Sequence, residues 1–305
     1  MTTKLYKKPK LEKPDLIVGW PGIGNIGIIA ADTLRGQLQA EKLGEIEPWY
    51  FFYPRKVSIK NGLLQDLEFP ANQFYYKSIP NKDLIFFIGE QQPTEREGAY
   101  SKGEKAYQMA NLVLDVGLEF GCQRLYTSGA CVSLIHHQMK PRVCAVVSSE
   151  KLAKEVKKYQ NTVLMSETVG REGEGVITGL NGLLLAVAKK RGLDSICLMG
   201  EIPDWLSQIP QPYPKASKSV LEVFAEILGI RIDFSVLDHM TTQIDEVIDK
   251  IYQKFPSEMK EKYDQRKFIA QAKPREITEE DANWIKEHID ELFEKRDKED
   301  GEKPV

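Results

Sequence analysis

The chain has 305 residues, enough to bury a sizeable core in one large α/β domain or in two smaller ones. With 42% hydrophobic and 29% charged residues, its composition is that of a soluble globular protein, not of a fibrous or disordered chain. A formal net charge of -3 excludes a broadly basic surface, and with it nucleic acid or an anionic membrane as the main partner.

Met1 to Pro14 is basic and polar, and Leu16 to Val18 is far too short for the apolar segment of a secretory leader. No run approaches the roughly 18 apolar residues of a membrane span, so the expectation is a cytoplasmic protein. Cys122, Cys131, Cys144 and Cys197 show neither C-x-x-C pairing nor zinc spacing. Most sit in or beside apolar runs, which predicts buried thiols in a reducing compartment and no metal site.

Along the chain, short apolar runs alternate with longer segments of helical period, the pattern of a mostly parallel sheet with crossover helices. Asp15–Gly19 reads as the first strand and Asn25–Ala40 as the helix after it. Trp49–Tyr53 reads as the second strand. Between Val57 and Tyr76 the pattern breaks, and Asn61-Gly62 between extended runs predicts an antiparallel hairpin. Strand Leu84–Gly89, helix Ala99–Phe120, strands Arg124–Ser128 and Val143–Val147, and helix Glu150–Tyr159 follow. Helix Gly175–Arg191, strand Ser195–Gly200 and helix Lys215–Leu228 complete the sheet. Gly121, Gly192 and Gly229 stand where helices should stop.

After about Phe234 the character changes. Leu237, Met240, Ile244, Val247 and Ile251 form a narrow apolar seam at 3-4-3-4 spacing. Pro256 interrupts it, Glu276–Lys295 reads as a second, highly charged helix, and Lys295 to Val305 as disordered. These changes divide the chain into an α/β core, residues 1–235, and a helical extension, residues 236–305. The extension's seam is open to two readings, packing on the parent domain or contact with another subunit.

Gly22, Gly24 and Gly27 fit G-x-G-x-x-G between a strand and a helix, the context of a dinucleotide-binding loop. A nicotinamide site also needs an acid ending the second strand, and that strand ends in Phe51-Phe52-Tyr53-Pro54-Arg55. The loop is therefore read first as a tight turn for helix-on-sheet packing, with anion binding at the helix start as the alternative.

Parallel sheets gather their sites at strand carboxyl ends. Gly22, Gly24, Asn25, Gly27, Glu90, Gln92, Ser128, Glu201 and Asp204 would lie along one such rim, as ligand site or interface. A second glycine-rich opening, Gly173 to Gly182, leads into the fourth helix. Catalytic constellations are weak. Thr127-Ser128-Gly129 lacks a nucleophile elbow, no phosphate-loop lysine is present, and the adjacent His136 and His137 read as a surface pair. No catalytic residue, cofactor or metal ligand is assigned.

Five stretches occur in order: Gly19-Trp20-Pro21-Gly22-Ile23-Gly24-Asn25-Ile26-Gly27, Gly89-Glu90-Gln91-Gln92-Pro93, Gly175-Val176-Ile177-Thr178-Gly179-Leu180-Asn181-Gly182, Cys197-Leu198-Met199-Gly200-Glu201-Ile202-Pro203 and Tyr213-Pro214-Lys215-Ala216-Ser217-Lys218-Ser219-Val220-Leu221. As a set they resemble the proteasome assembly chaperone family of the second-chaperone type, with its archaeal and bacterial relatives, which some schemes place in an ATP-grasp superfamily. The resemblance covers roughly Leu16 to Ile232. It implies a phosphorylase/hydrolase-like three-layer α/β sandwich, homo-oligomeric, without established catalysis and with proteasome subunits as protein partners. Archaeal relatives can also dock through a C-terminal hydrophobic-tyrosine-any tripeptide, from which Lys303-Pro304-Val305 departs. Two functions follow as expectations: a non-enzymatic chaperone or scaffold, or a nucleotide- or nucleoside-binding enzyme using the glycine loops.

Overall fold

A computed structural model describes residues 2–93, 103–168 and 175–267. Among the described residues eleven strands run in chain order: β1 (Thr3–Leu5), β2 (Asp15–Gly19), β3 (Glu41–Ile46), β4 (Lys56–Lys60), β5 (Leu63–Glu68), β6 (Asn72–Ile79), β7 (Lys82–Gly89), β8 (Arg124–Ser133), β9 (Val143–Val147), β10 (Thr162–Leu164) and β11 (Asp194–Pro203). The helices are α1 (Ile26–Gln37), α2 (Glu104–Glu119), α3 (Glu150–Val156), α4 (Gly179–Lys190), α5 (Pro214–Leu228), α6 (Ser235–Gln253) and α7 (Ser257–Asp264).

Nine strands form one sheet in the order β1-β3-β6-β7-β2-β8-β11-β9-β10. The centre, β7-β2-β8-β11, is parallel throughout. β6, β3 and β1 extend it antiparallel on one side, and β9 pairs antiparallel with β11 on the other. Successive residues of the central strands serve opposite faces. Ile17, Phe86, Tyr126 and Ile196 belong to the core shared with α1, α3 and α5, while Leu16, Val18, Ile85, Phe87 and Leu125 belong to the core under α2 and α4. All nine are fully buried, as strands covered on both faces require. The result is the expected three-layer α/β sandwich.

The expected stops at Gly121, Gly192 and Gly229 all carry positive φ. The apolar seam of the extension packs at home. Leu237 and Ile248 of α6 enter the α1/α5 core, and Met240 and Ile244 lie against it. The segment Glu276–Lys295, the chain end, Gly173 and Glu174 lie outside the described residues.

Two expectations are corrected. Trp49–Tyr53 is not a strand, because Pro48, with its fixed φ, starts a single 3-10 turn over Pro48–Tyr50. Phe51 and Phe52 then drop into the α2/α4 core, and Trp49 packs on Phe69 at 4.6 Å between ring centres. The strand that follows α1 is instead β3, on the antiparallel flank of the sheet, with Glu41 and Lys42 exposed. His136 and His137 are not a surface pair. Both are buried, at 1% and 2% exposure.

Candidate functional site

The carboxyl ends of β7, β2, β8 and β11 lie side by side, so the loops predicted to share a rim do start from one edge of the sheet. After β2 the chain turns through Gly24 (φ +61°) and Asn25 (φ +48°), both left-handed. The turn is fixed by two backbone bonds: Asn25 N–H donates to the Gly22 carbonyl at 2.9 Å, and Tyr213 N–H donates to the Gly24 carbonyl at 2.8 Å. Gly27, in the first turn of α1, lies directly on β8. A Cβ there would sit 2.1 Å from the Ser128 carbonyl oxygen. The Ser128 hydroxyl in turn donates to the Gly27 carbonyl at 3.1 Å.

A cleft of about 220 Å³ opens beside this turn, with Trp20, Gly22, Gln92, Cys131, Asn181 and Met199 among its lining. Gln92 spans it. Its amide donates to the Pro21 carbonyl at 2.8 Å, and its side-chain oxygen accepts from Leu180 N–H at 3.1 Å. That bond satisfies one of the orphan amides of the α4 start. Asn181 donates from its side chain to the Ser128 carbonyl at 2.7 Å. Gln92 and the Asn181 amide nitrogen thus hold neighbouring loops together, whereas Trp20 Nε1 and Asn181 Oδ1 are buried without a hydrogen-bond partner. Among the described residues that line it there is no carboxylate, histidine, lysine or arginine. These described lining residues supply neither an acid–base pair nor a cation for a phosphate.

Of the nine predicted rim residues, Gly22, Gly27 and Gln92 line this cleft, Ser128 bonds to Gly27 and Asn181 of the lining, and Gly24 and Asn25 form the turn between Gly22 and Gly27. The other three are elsewhere. Glu90 accepts from Arg55 Nη1 and from Ala71 N–H, both at 2.9 Å, bracing the base of the β4–β5 hairpin. Glu201 is fully buried within β11. It receives Arg142 Nε at 2.9 Å, Arg142 Nη2 at 2.8 Å and the Arg142 N–H at 3.0 Å. Asp204 is held in a fork by Arg266 at 2.7 and 3.1 Å. β8 and β11 run on to Ser133 and Pro203, which places Ser128 and Glu201 inside strands and not at their ends.

A polar cluster that the sequence did not disclose lies under the extension. The His136 and His137 rings stack at 4.2 Å, and Tyr252 of α6 sits 4.5 Å from His137. His137 Nε2 faces Asp249 at 3.2 Å and His136 Nε2 faces Asp264 at 3.3 Å. Gln138 N–H donates to His136 Nδ1, leaving Nε2 to carry the proton of the neutral ring. Burial, with His137 beside it, pushes His136 down to about 4, and burial also lowers His137. Beyond them Trp205 packs on Phe255 at 5.0 Å. Only the adjacency of the two histidines signalled this in the sequence. The four cysteines are buried with no disulfide between them, and burial pushes Cys122 up to about 11 and Cys197 up to about 12. Among the described residues no group of three or more His, Cys, Asp or Glu is placed to hold a metal ion.

A sequence model of the PAC2 family matches residues 16–252. The chain belongs to the PAC2 family. The family that the five ordered stretches resemble is therefore the one it falls in, and the match runs through α6, beyond the last of those stretches. An uncharacterized protein of Methanocaldococcus jannaschii, MJ1210, is 31% identical over 286 residues, spanning 93% of this chain and 97% of that one. PbaB of Pyrococcus furiosus, an archaeal proteasome activator, is 33% identical. It superposes with a TM-score of 0.68 over 82% of this chain and 98% of its own. PbaA of the same organism, an archaeal homolog of proteasome-assembly chaperone, is 21% identical with a TM-score of 0.60, over 88% of this PAC2 chain and all of its own, which compares the fold alone.

Proposed function

We propose that this PAC2 protein is a non-catalytic, homo-oligomeric chaperone or scaffold that engages proteasome subunits or the assembled particle. The observation that carries the reading is the likeness to PbaB, at 33% identity over 98% of that chain. The chemistry of the sheet edge supports it. Gln92, the Ser128 hydroxyl and the Asn181 amide nitrogen bond to neighbouring loops, and Glu201 and Asp204 are each forked to an arginine. None of these carboxylates is left in position to move a proton to or from a substrate in the cleft.

In this reading residues 1–235 form the body, residues 236–305 an extension anchored on it by α6, and the protein works in the cytoplasm. Among the described residues no helix is long and apolar enough to cross a membrane. The test is binding of the immobilised protein to the proteasome core particle of the same organism, and to its separate α-subunits. A dissociation constant in the micromolar range or tighter, about -8 kcal/mol or more favourable, is expected for at least one of them. No binding to either at concentrations of about 100 μM would remove the proposal.

A further inference from the structure

β4 and β5 form a two-stranded sheet of their own, separate from the main one. Val57 pairs with Leu67 and Ile59 with Leu64, with a register shift between the two pairs. Directly paired residues share a face of a hairpin. Val57 and Ile59 are two residues apart on β4, and Leu64 and Leu67 three apart on β5, so the extra residue of the irregularity brings all four onto one side. That side is purely aliphatic and open to solvent, at 50%, 70%, 74% and 39% exposure. The opposite side carries Lys56 paired with Glu68 and Lys60 paired with the exposed Leu63. A lone two-stranded sheet with an uncovered apolar face is marginal in water, and both of its outer edges carry unpaired backbone groups.

We propose that this hairpin is the self-assembly element of the protein. The β5 edge of one copy pairs antiparallel with the β4 edge of the next, and the series closes into a ring with the aliphatic faces inside. This rests on the homo-oligomer in the reading above and names its joint. Charge and register select a second copy as occupant. Repeating the internal register between copies sets Lys56 against Glu68 and Val57 and Ile59 against Leu67 and Leu64, so both the ion pairs and the apolar stripe continue. Pairing β4 with β4 about Ser58 would instead set Lys56 against Lys60, and like charges directly opposite are destabilising. Pairing β5 with β5 would set Leu63 against Glu68 and form no ion pair, so only head-to-tail pairing keeps Lys56 against Glu68, and a head-to-tail contact closes into a ring when its rotation allows. Closure removes the edges and covers the aliphatic face, which small barrels fill with such side chains.

The experiment is the mass of the full-length protein in solution, by light scattering after size exclusion, for the wild type and for Ile59→Asp/Leu64→Asp. Both positions are exposed, so the melting temperature of the body should be retained. The wild type is expected as a closed oligomer and the double variant as a folded monomer. Hydrogen exchange of the wild type is the second measurement: the outward amides of β4 and β5 should be protected by at least 100-fold relative to the monomeric variant. A variant that keeps the wild-type mass, or an oligomer whose hairpin edges exchange freely, overturns the hairpin joint while leaving an oligomeric scaffold standing. A wild type that is monomeric at micromolar concentration overturns both. So does a hairpin that becomes protected only when a proteasome subunit is added to a monomer.

Discussion

Gly27 of α1 rests on the backbone of Ser128 in β8 so closely that a Cβ would fall 2.1 Å from the Ser128 oxygen and 2.5 Å from its carbonyl carbon. The third glycine of the G-x-G-x-x-G stretch is thus there for the approach of a helix to a strand. Gly27→Ala should cost about 3 kcal/mol, the upper end of overpacking effects, because the atoms it meets are backbone and have no rotamer to yield. Gly22 is the control. It is extended and meets nothing within 4 Å, so Gly22→Ala should stay within about 0.5 kcal/mol of the parent. Urea unfolding of the two variants measures both. Equal costs would refute the packing explanation.

Glu201 and Arg142 make a forked pair in which the carboxylate is fully buried. Arg142→Ala should cost about 3–5 kcal/mol by leaving a buried charge without its partner. Arg142→Leu combined with Glu201→Leu should lose less than the sum of the single changes, since the pair's desolvation disappears with it. A double-mutant cycle in denaturant reads the coupling, and additive costs would show that the pair does not act as a unit.

The pattern of strand, glycine turn and helix at β2–α1 was legible because β2 is apolar at consecutive positions and α1 keeps a helical period. The hairpin was legible at Asn61-Gly62, which allows the positive φ that both residues adopt. The second strand was not. Aromatic Trp49-Tyr50-Phe51-Phe52 looks more strand-like than Glu41-Lys42-Leu43-Gly44, yet a strand on the antiparallel flank tolerates exposed charge, and Pro48 directs the aromatics into a turn. The rim was half legible for a similar reason. Glu201 follows a glycine, which suggests the end of a strand, but β11 continues three residues past Gly200, and the partner that reveals its role, Arg142, is 59 residues away. The buried histidine pair depends on Asp249, 112 residues on, and no local pattern carries such a contact.

The same pair makes stability depend on pH. Folded His136 stays neutral down to about 4, against an ordinary value of 6.5. Between those limits the unfolded chain binds more protons, so stability is full above pH 6.5 and declines as pH falls toward 4. The loss should be on the order of 2 kcal/mol. Asp264, Lys267 and His137 face the ring and remain in place, so His136→Gln should flatten most of the slope. Chemical denaturation at half-unit steps from pH 7.5 to 4.5 tests this. A slope unchanged in the variant would assign it to other groups.

Arg266 fastens the chain after α7 to Asp204, and its guanidinium lies 4.0 Å from the Tyr263 ring centre. Asp204 is partly exposed, so Arg266→Ala should cost the body only about 1 kcal/mol. Its effect should be local, with faster proteolytic cleavage around α7 and faster amide exchange there than in α5. Uniform exchange throughout the chain would mean that this contact is not what holds the extension.

The most direct test of a non-catalytic proteasome-engaging scaffold is native mass spectrometry of the purified protein, alone and mixed with proteasome α-subunits. The expected result is a homo-oligomer free of small molecules that takes up α-subunits in a defined ratio. A monomer that ignores them and carries one nucleotide-sized adduct per chain would contradict the account and return the cleft beside Gly22 to enzymology.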